Sequence, residues 1–214
     1  MHDGQNIFDE FTAGYGEWGV DECLDSLIKK NVPACIVVGV DNGPERMNEY
    51  NPFDNERFGK GKGDDYVNFL VKTLKPYIDG HFRTLTSKEN TLVAGSSMGG
   101  LISYYAALKY SGIFGKAGIF SPAFWTALPA DDFTEKAAKN SSGKYFFYMG
   151  GLEGGSYVAD MERIAEKLGG NSAGIIYSVI DPDGRHNEQA WRKWFPEFYK
   201  WAMADWTNYL INVE

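Results

Sequence analysis

The sequence is poor in the residues that hold metals or staple small secreted folds. Its 214 residues include two cysteines, Cys23 and Cys35, and three histidines, His2, His81 and His186. Two cysteines make no disulfide framework and read as free, buried thiols. No cysteine–histidine cluster has the spacing of a zinc site, so neither a metal nor a cofactor is expected. Positive charge is scarce too. Twenty-one Lys and Arg against 29 Asp and Glu give a formal charge of −8, which speaks against nucleic acid or an anionic membrane as partner. No apolar run approaches the roughly 20 residues that span a bilayer. The first residues do not resemble a signal peptide. What remains is ordinary for a soluble globular chain, 43% hydrophobic and 23% charged, and long enough for one domain with a sizeable core. Such a composition suits a small-molecule partner and is compatible with a homo-oligomer.

One stretch organises the chain. Gly95-Ser96-Ser97-Met98-Gly99-Gly100 follows the apolar run Thr91–Ala94 and precedes the helical pattern Leu101–Tyr110. Strand, tight turn and helix are the context that a G-x-S-x-G nucleophile elbow requires. The residues two before and two after the central serine must be tiny, because strand and helix backbones nearly touch. Gly95 and Gly99 occupy those places, which selects Ser97 over Ser96. The start of the helix would also point free N–H groups at the site.

Around the elbow, short apolar runs alternate with helical periodicity. Strands are expected at Ala34–Val40, Lys116–Phe120, Tyr145–Met149 and Gly174–Ile180. Helices are expected over Trp18–Lys30, Asp64–Ile78 (with a break near Pro76), Asp131–Asn140, Tyr157–Leu168, Glu188–Phe195 and Pro196–Leu210. Asp41–Gly63 is a long Gly-, Asn- and Pro-rich loop, of a length that is usually functional. The order implies an α/β fold with a mainly parallel central sheet flanked by helices.

A serine hydroxyl needs a base to take its proton and a third group to orient that base. In α/β-hydrolase order the acid and then the histidine follow the nucleophile, on loops at the carboxyl ends of strands. Of the three histidines, only His186 lies beyond the elbow, after the last expected strand. Glu153, in the glycine-rich loop after Tyr145–Met149, is the favoured acid. Asp183, three residues from His186, is the alternative, and Asp160 falls inside a helix. For the oxyanion hole, one donor is the N–H of Met98. The second is expected from the loop Asp3-Gly4-Gln5.

Taken together, the motifs resemble the Putative esterase family of α/β hydrolases, the group of esterase D, feruloyl and acetyl xylan esterases, enterochelin-type esterases and mycolyltransferases. The resemblance rests on His2–Phe8, Trp18–Glu22, Ile36–Asn42, Arg46 with Glu49-Tyr50, Lys75–Ile78, Gly95–Leu101, Phe120–Trp125 and His186-Asn187 with Trp191. It implies Ser97 as nucleophile, His186 as base and Glu153 as acid, with Gln5 and Met98 as oxyanion donors. Asp3, Arg46, Tyr50 and Trp125 would lie near the substrate, although Arg46 could instead pair with Glu49 and Trp125 could pack in the core. The aromatic set Trp191, Trp194, Phe195, Phe198 and Trp201 reads as a core stripe. The implied activity is serine ester hydrolysis, on carbohydrate-linked acetyl or feruloyl esters. An acyltransferase, or a non-catalytic binder on the same scaffold, is the alternative.

Members of that family carry about three strands before the Asp-Gly loop, whereas here that loop comes first. The resemblance therefore implies a single domain over residues 1–214 with its N-terminal strands lacking, and a vacant strand position between 34–40 and 91–96. Three arrangements could settle that position: residues upstream of Met1, a strand from a second chain, or direct pairing of the two flanking strands.

Overall fold

The computed structural model describes residues 1–204. Its sheet has four strands in the order β1-β2-β3-β4. They are β1 (Leu92–Ser96), β2 (Lys116–Phe120), β3 (Lys144–Gly150) and β4 (Ile175–Asp181). All pairings are parallel, with Leu92 opposite Lys116, Lys116 opposite Lys144 and Lys144 opposite Ile175. The helices are α1 (Val20–Ile28), α2 (Arg46–Glu49), α3 (Gly63–Phe69), α4 (Lys75–His81), α5 (Met98–Lys109), α6 (Ala130–Ala137), α7 (Tyr157–Asn171) and α8 (Glu188–Met203).

The period-two alternation of strand side chains divides the core. Val93, Ala117, Ile119, Tyr145, Phe147 and Met149 face one side, where α5 and α7 bring Leu101, Ile102, Ile164 and Leu168. Ala94, Phe120, Phe146 and Tyr148 face the other, against Val20, Leu24 and Leu27 of α1 and the aromatic stripe of α8. That stripe is core, as its spacing predicts: Trp191, Phe195, Phe198 and Trp201 are all buried. Phe198 lies where Gly118 has no side chain, since a Cβ there would come within 2.5 Å of its ring.

Several expectations need correction. Residues 34–40 form no regular strand; their single ladder contact is an isolated parallel bridge from Val40 to His2. A strand needs a hydrogen-bonded neighbour, and the space beside residues 33–38 is a cavity of about 840 Å³ bounded on its far side by Thr91, Leu92 and Val93. Only at its end is the gap spanned, by His2 N–H to Ala94 C=O (3.0 Å), Val40 N–H to Met1 C=O (3.0 Å) and Gly4 N–H to Val40 C=O (2.9 Å). The flanking segments do not pair directly.

Two helical segments were expected around Pro196, yet α8 runs through it without interruption. The missing N–H costs one intrahelical bond and about 3 kcal/mol, which the continuous buried aromatic stripe offsets. The part expected beyond residue 204 lies outside the described residues. Pro76 stands at the start of α4, and the break precedes it as a π-turn over Leu70–Leu74. Both thiols are free, but neither is buried: Cys23 is half-buried and Cys35 exposed. Among the described residues, no helix is long and apolar enough to cross a membrane.

Candidate active site

The elbow forms where the glycine spacing places it. Ser97 directly follows β1 and precedes α5 with φ 58° and ψ −120°, a conformation that costs a non-glycine residue on the order of 1–3 kcal/mol. A Cβ on Gly95 would lie 2.9 Å from the Gly99 carbonyl group, so only glycine lets strand and helix approach this closely. Ser97 N–H donates to Phe120 C=O (2.9 Å), and its own C=O accepts from Leu101 and Ala123. Backbone bonds thus pin the turn from both sides. Ser97 is half-buried, and its Oγ has no hydrogen-bond partner among the described residues.

Glu153 and His186 are brought together from the loops after β3 and β4. Glu153 Oε2 lies 2.6 Å from His186 Nδ1. Its other oxygen accepts from Ser121 Oγ and from Gly150 N–H (2.8 Å). With the acceptor sites of the carboxylate so engaged, the imidazole proton belongs on Nδ1 and the lone pair on Nε2. The two side chains differ sharply in exposure, 1% for Glu153 and 43% for His186. The carboxylate is fixed in the protein while the imidazole reaches solvent. The edge of the Trp191 ring system supports the imidazole, with centroids 5.1 Å apart and planes at 84°. Asp183 is exposed, and the structure does not bring its carboxylate to His186. Asp160 pairs with Arg163 on α7.

Ser121 is the residue that sequence reasoning passed over. It is buried, holds φ 43°, donates to Glu153 and accepts from Trp191 Nε1 (2.8 Å). Its place directly after β2, at the same sheet edge as the elbow, was the available signal. Glu188 at the start of α8 was also missed. It is buried, which pushes its carboxyl up from the ordinary range, and His186, Asp3 and Arg46 are the charges facing it.

The Asp3–Gln5 loop lies against the elbow helix. A Cβ on Gly99 would come within 3.1 Å of Asp3 Oδ2 and 3.3 Å of His2 Cβ. Gln5 sits in a 3₁₀ turn, Gly4–Asn6, and Met98 opens α5. Neither backbone N–H has an acceptor among the described residues. Arg46 grips Asp3 with Nε (2.6 Å) and Nη2 (2.7 Å) instead of pairing with Glu49, which accepts from Gly43 N–H. Tyr50 is fully buried beneath this pair; its hydroxyl accepts from Asp3 N–H at 3.2 Å. Trp125 is exposed on a 3₁₀ turn, edge-on to Phe58 and tilted against Tyr157.

Comparison with known proteins identifies the family and the fold. The Putative esterase profile matches residues 1–202. An uncharacterized protein, YbbA of Bacillus subtilis (strain 168), is 29% identical over 141 residues, 62% of this chain and 56% of that protein. The chain thus matches little more than half the length of that relative. The BES protein from Bacillus cereus superposes with a TM-score of 0.76 at 19% identity, over 95% of this chain and 81% of that one. An IroE-like serine hydrolase from Shewanella oneidensis gives 0.72 at 18% identity, over 94% and 68%. A ferulic acid esterase gives 0.65 at 14% identity, over 94% and 82%. At these identities the solved structures establish a shared fold.

Proposed function

The chain belongs to the Putative esterase family, and from that premise we propose that it is a serine carboxylic-ester hydrolase working through an acyl-enzyme. The observation that carries the reading is the buried Glu153 carboxylate held against His186 Nδ1, on loops at the same sheet edge as the elbow serine. The two cores on one sheet support a single α/β-hydrolase domain.

Ser97 Oγ adds to the ester carbonyl while His186 Nε2 takes its proton. The N–H groups of Met98 and Gln5 donate to the resulting oxyanion. Collapse breaks the bond to the alcohol oxygen, which leaves with the proton from His186. Water then repeats the sequence: it loses a proton to Nε2, adds to the acyl carbon and releases the carboxylic acid and Ser97. Glu153 keeps its hydrogen bond to Nδ1 throughout and stabilises the imidazolium.

For the substrate, the exposed Trp125 ring flanked by Phe58 and Tyr157 favours an ester with a flat or ring-shaped moiety. Carbohydrate-linked acetyl or feruloyl esters meet that description. A fluorophosphonate probe tests the reading: it should phosphonylate the protein once, at Ser97, as located by peptide mass spectrometry. An unlabelled protein that also leaves acetyl and feruloyl esters intact would refute it.

A further inference from the structure

Ser121 holds a backbone conformation that suits glycine better than serine. Its φ is 43°, in the region where a Cβ crowds the following carbonyl oxygen. Such a residue persists only where its surroundings over-determine it. Around Ser121 they act on backbone and side chain alike. Its N–H donates to Tyr148 C=O (2.7 Å), which joins the end of β2 to β3. Its side chain is buried, with Oγ between Trp191 Nε1 (2.8 Å) and Glu153 Oε1.

The donor inventory fixes the direction of this short chain. An indole nitrogen can only donate, so Ser121 Oγ accepts from Trp191. Glu153 Oε1 already accepts the Gly150 N–H (2.8 Å), so the single hydroxyl proton points to it. The chain runs from Trp191 N–H to Ser121 O–H to Glu153 Oε1, and Glu153 Oε2 is left for His186 Nδ1 at 2.6 Å. The terminal torsion of a glutamate is broad, so its hydrogen bonds, not a rotamer preference, set the plane of the carboxylate. Of the two donors on Oε1, Gly150 lies only three residues away, in the segment that leads into the Glu153 loop. Ser121 comes from another strand end, 32 positions away. The same indole also carries the imidazole: the Trp191 ring is buried, stacked on Trp18 at 5.8 Å and edge-to-face with His186 at 5.1 Å. Both members of the Glu153–His186 pair are thus referenced to one buried ring.

We infer that Ser121 is a positioning residue: aimed by the Trp191 N–H, its hydroxyl sets the plane of the Glu153 carboxylate so that Oε2 meets His186 Nδ1. The inference rests on the serine-esterase reading above. Ser121 acts through Glu153 and is assigned no contact with the reacting atoms. Its strained backbone is maintained for the sake of the hydroxyl, since glycine would relieve the strain and lose the hydrogen bond.

The test uses Ser121→Gly and Ser121→Ala, which both remove the hydroxyl but affect the backbone in opposite ways. Turnover of p-nitrophenyl acetate is normalised to active sites titrated with the fluorophosphonate. Both variants should lose kcat roughly 10- to 100-fold, with KM within a few-fold of wild type. The His186 Nδ1–H resonance in proton NMR should shift or vanish by exchange with water in both. Wild-type kcat per titrated site in Ser121→Gly would show that the hydroxyl is dispensable and overturn the inference. A kcat loss with the Nδ1–H resonance unchanged would overturn it equally. Should Ser121→Ala fail to fold, Ser121→Gly, which relieves the strained φ, decides alone. The wild-type protein supplies a measurement independent of the variants: the Trp191 indole N–H should be protected from hydrogen exchange, and rapid exchange would refute the chain. A wild-type protein that the fluorophosphonate cannot titrate would sink the esterase reading instead, and the indole exchange would still judge the hydrogen bonds.

Discussion

Glu153 and His186 stand 33 positions apart in the chain and meet at 2.6 Å. The carboxylate is buried by its own hydrogen bonds: Ser121 and Gly150 hold one oxygen, which leaves the other for the imidazole. Ser121 directly follows Phe120, whose C=O accepts the Ser97 N–H. The end of β2 therefore ties the Glu153 carboxylate to the elbow through two adjacent residues.

Replacing the acid should expose that arrangement. Glu153→Gln keeps the shape but removes the charge that stabilises the imidazolium, and kcat should fall by roughly 10²–10⁴. Asp183→Asn, altering an exposed side chain, should leave kcat within a few-fold of wild type. Steady-state kinetics on a p-nitrophenyl ester decides, and the reverse ranking would move the acid beside the histidine.

The two serines of the elbow make a second contrast. Ser97→Ala should lower ester turnover by roughly 10⁴–10⁶. Ser96 is buried at the end of β1, and Ser96→Ala should cost far less. Comparable losses from both substitutions would discredit the assignment made from the Gly95–Gly99 spacing.

His2 links the fold to pH. Burial foremost, then the positive charges of the Met1 amino group and Arg46, hold its pKa well below the ordinary 6.5. Above pH 6.5 the imidazole is neutral in both states and pH has no effect through it. Below 6.5 the unfolded chain binds a proton that the folded protein refuses. Stability should then decline as pH falls, by up to about 1.4 kcal/mol per unit from this group alone. Urea denaturation of wild type and His2→Phe at pH 7.5, 6.5 and 5.5 measures the difference. Parallel pH profiles for the two proteins would show that His2 is not the cause.

The cavity beside β1 makes a prediction about exchange. In a parallel strand both backbone groups of a residue point the same way, and alternate residues face opposite neighbours. Ala94 C=O accepts from His2, so Leu92 and Ala94 face the cavity while Val93 and Gly95 face β2. Hydrogen exchange followed by NMR should find the Leu92 and Ala94 amides less protected than those of Val93 and Gly95. Equal protection along β1 would mean that its outer edge is covered.

Local chemistry made much of this protein legible in advance. The Gly-x-Ser-x-Gly turn needs only two absent side chains, and strands β1 to β4 need only short β-branched or aromatic runs between helical periods. Once the elbow is placed, chain order and sheet direction nominate His186 and leave Glu153 favoured over Asp183; the fold is what brings Glu153 to the imidazole. Other features depend on neighbours that no local pattern encodes. ACIVVGV has the composition of a buried strand, but a strand exists only with a partner alongside, and most of that edge borders a cavity. Pro196 breaks an isolated helix, yet packing of the aromatic stripe carries α8 across it. Arg46 could pair with Glu49 within one turn, but the fold brings Asp3 from 43 positions away. The family resemblance implies a place near the substrate for Tyr50, and in three dimensions it is buried with its hydroxyl turned to the Asp3 backbone. Which polar groups meet across such separations depends on how the hydrophobic layers pack, so tertiary structure alone decides it.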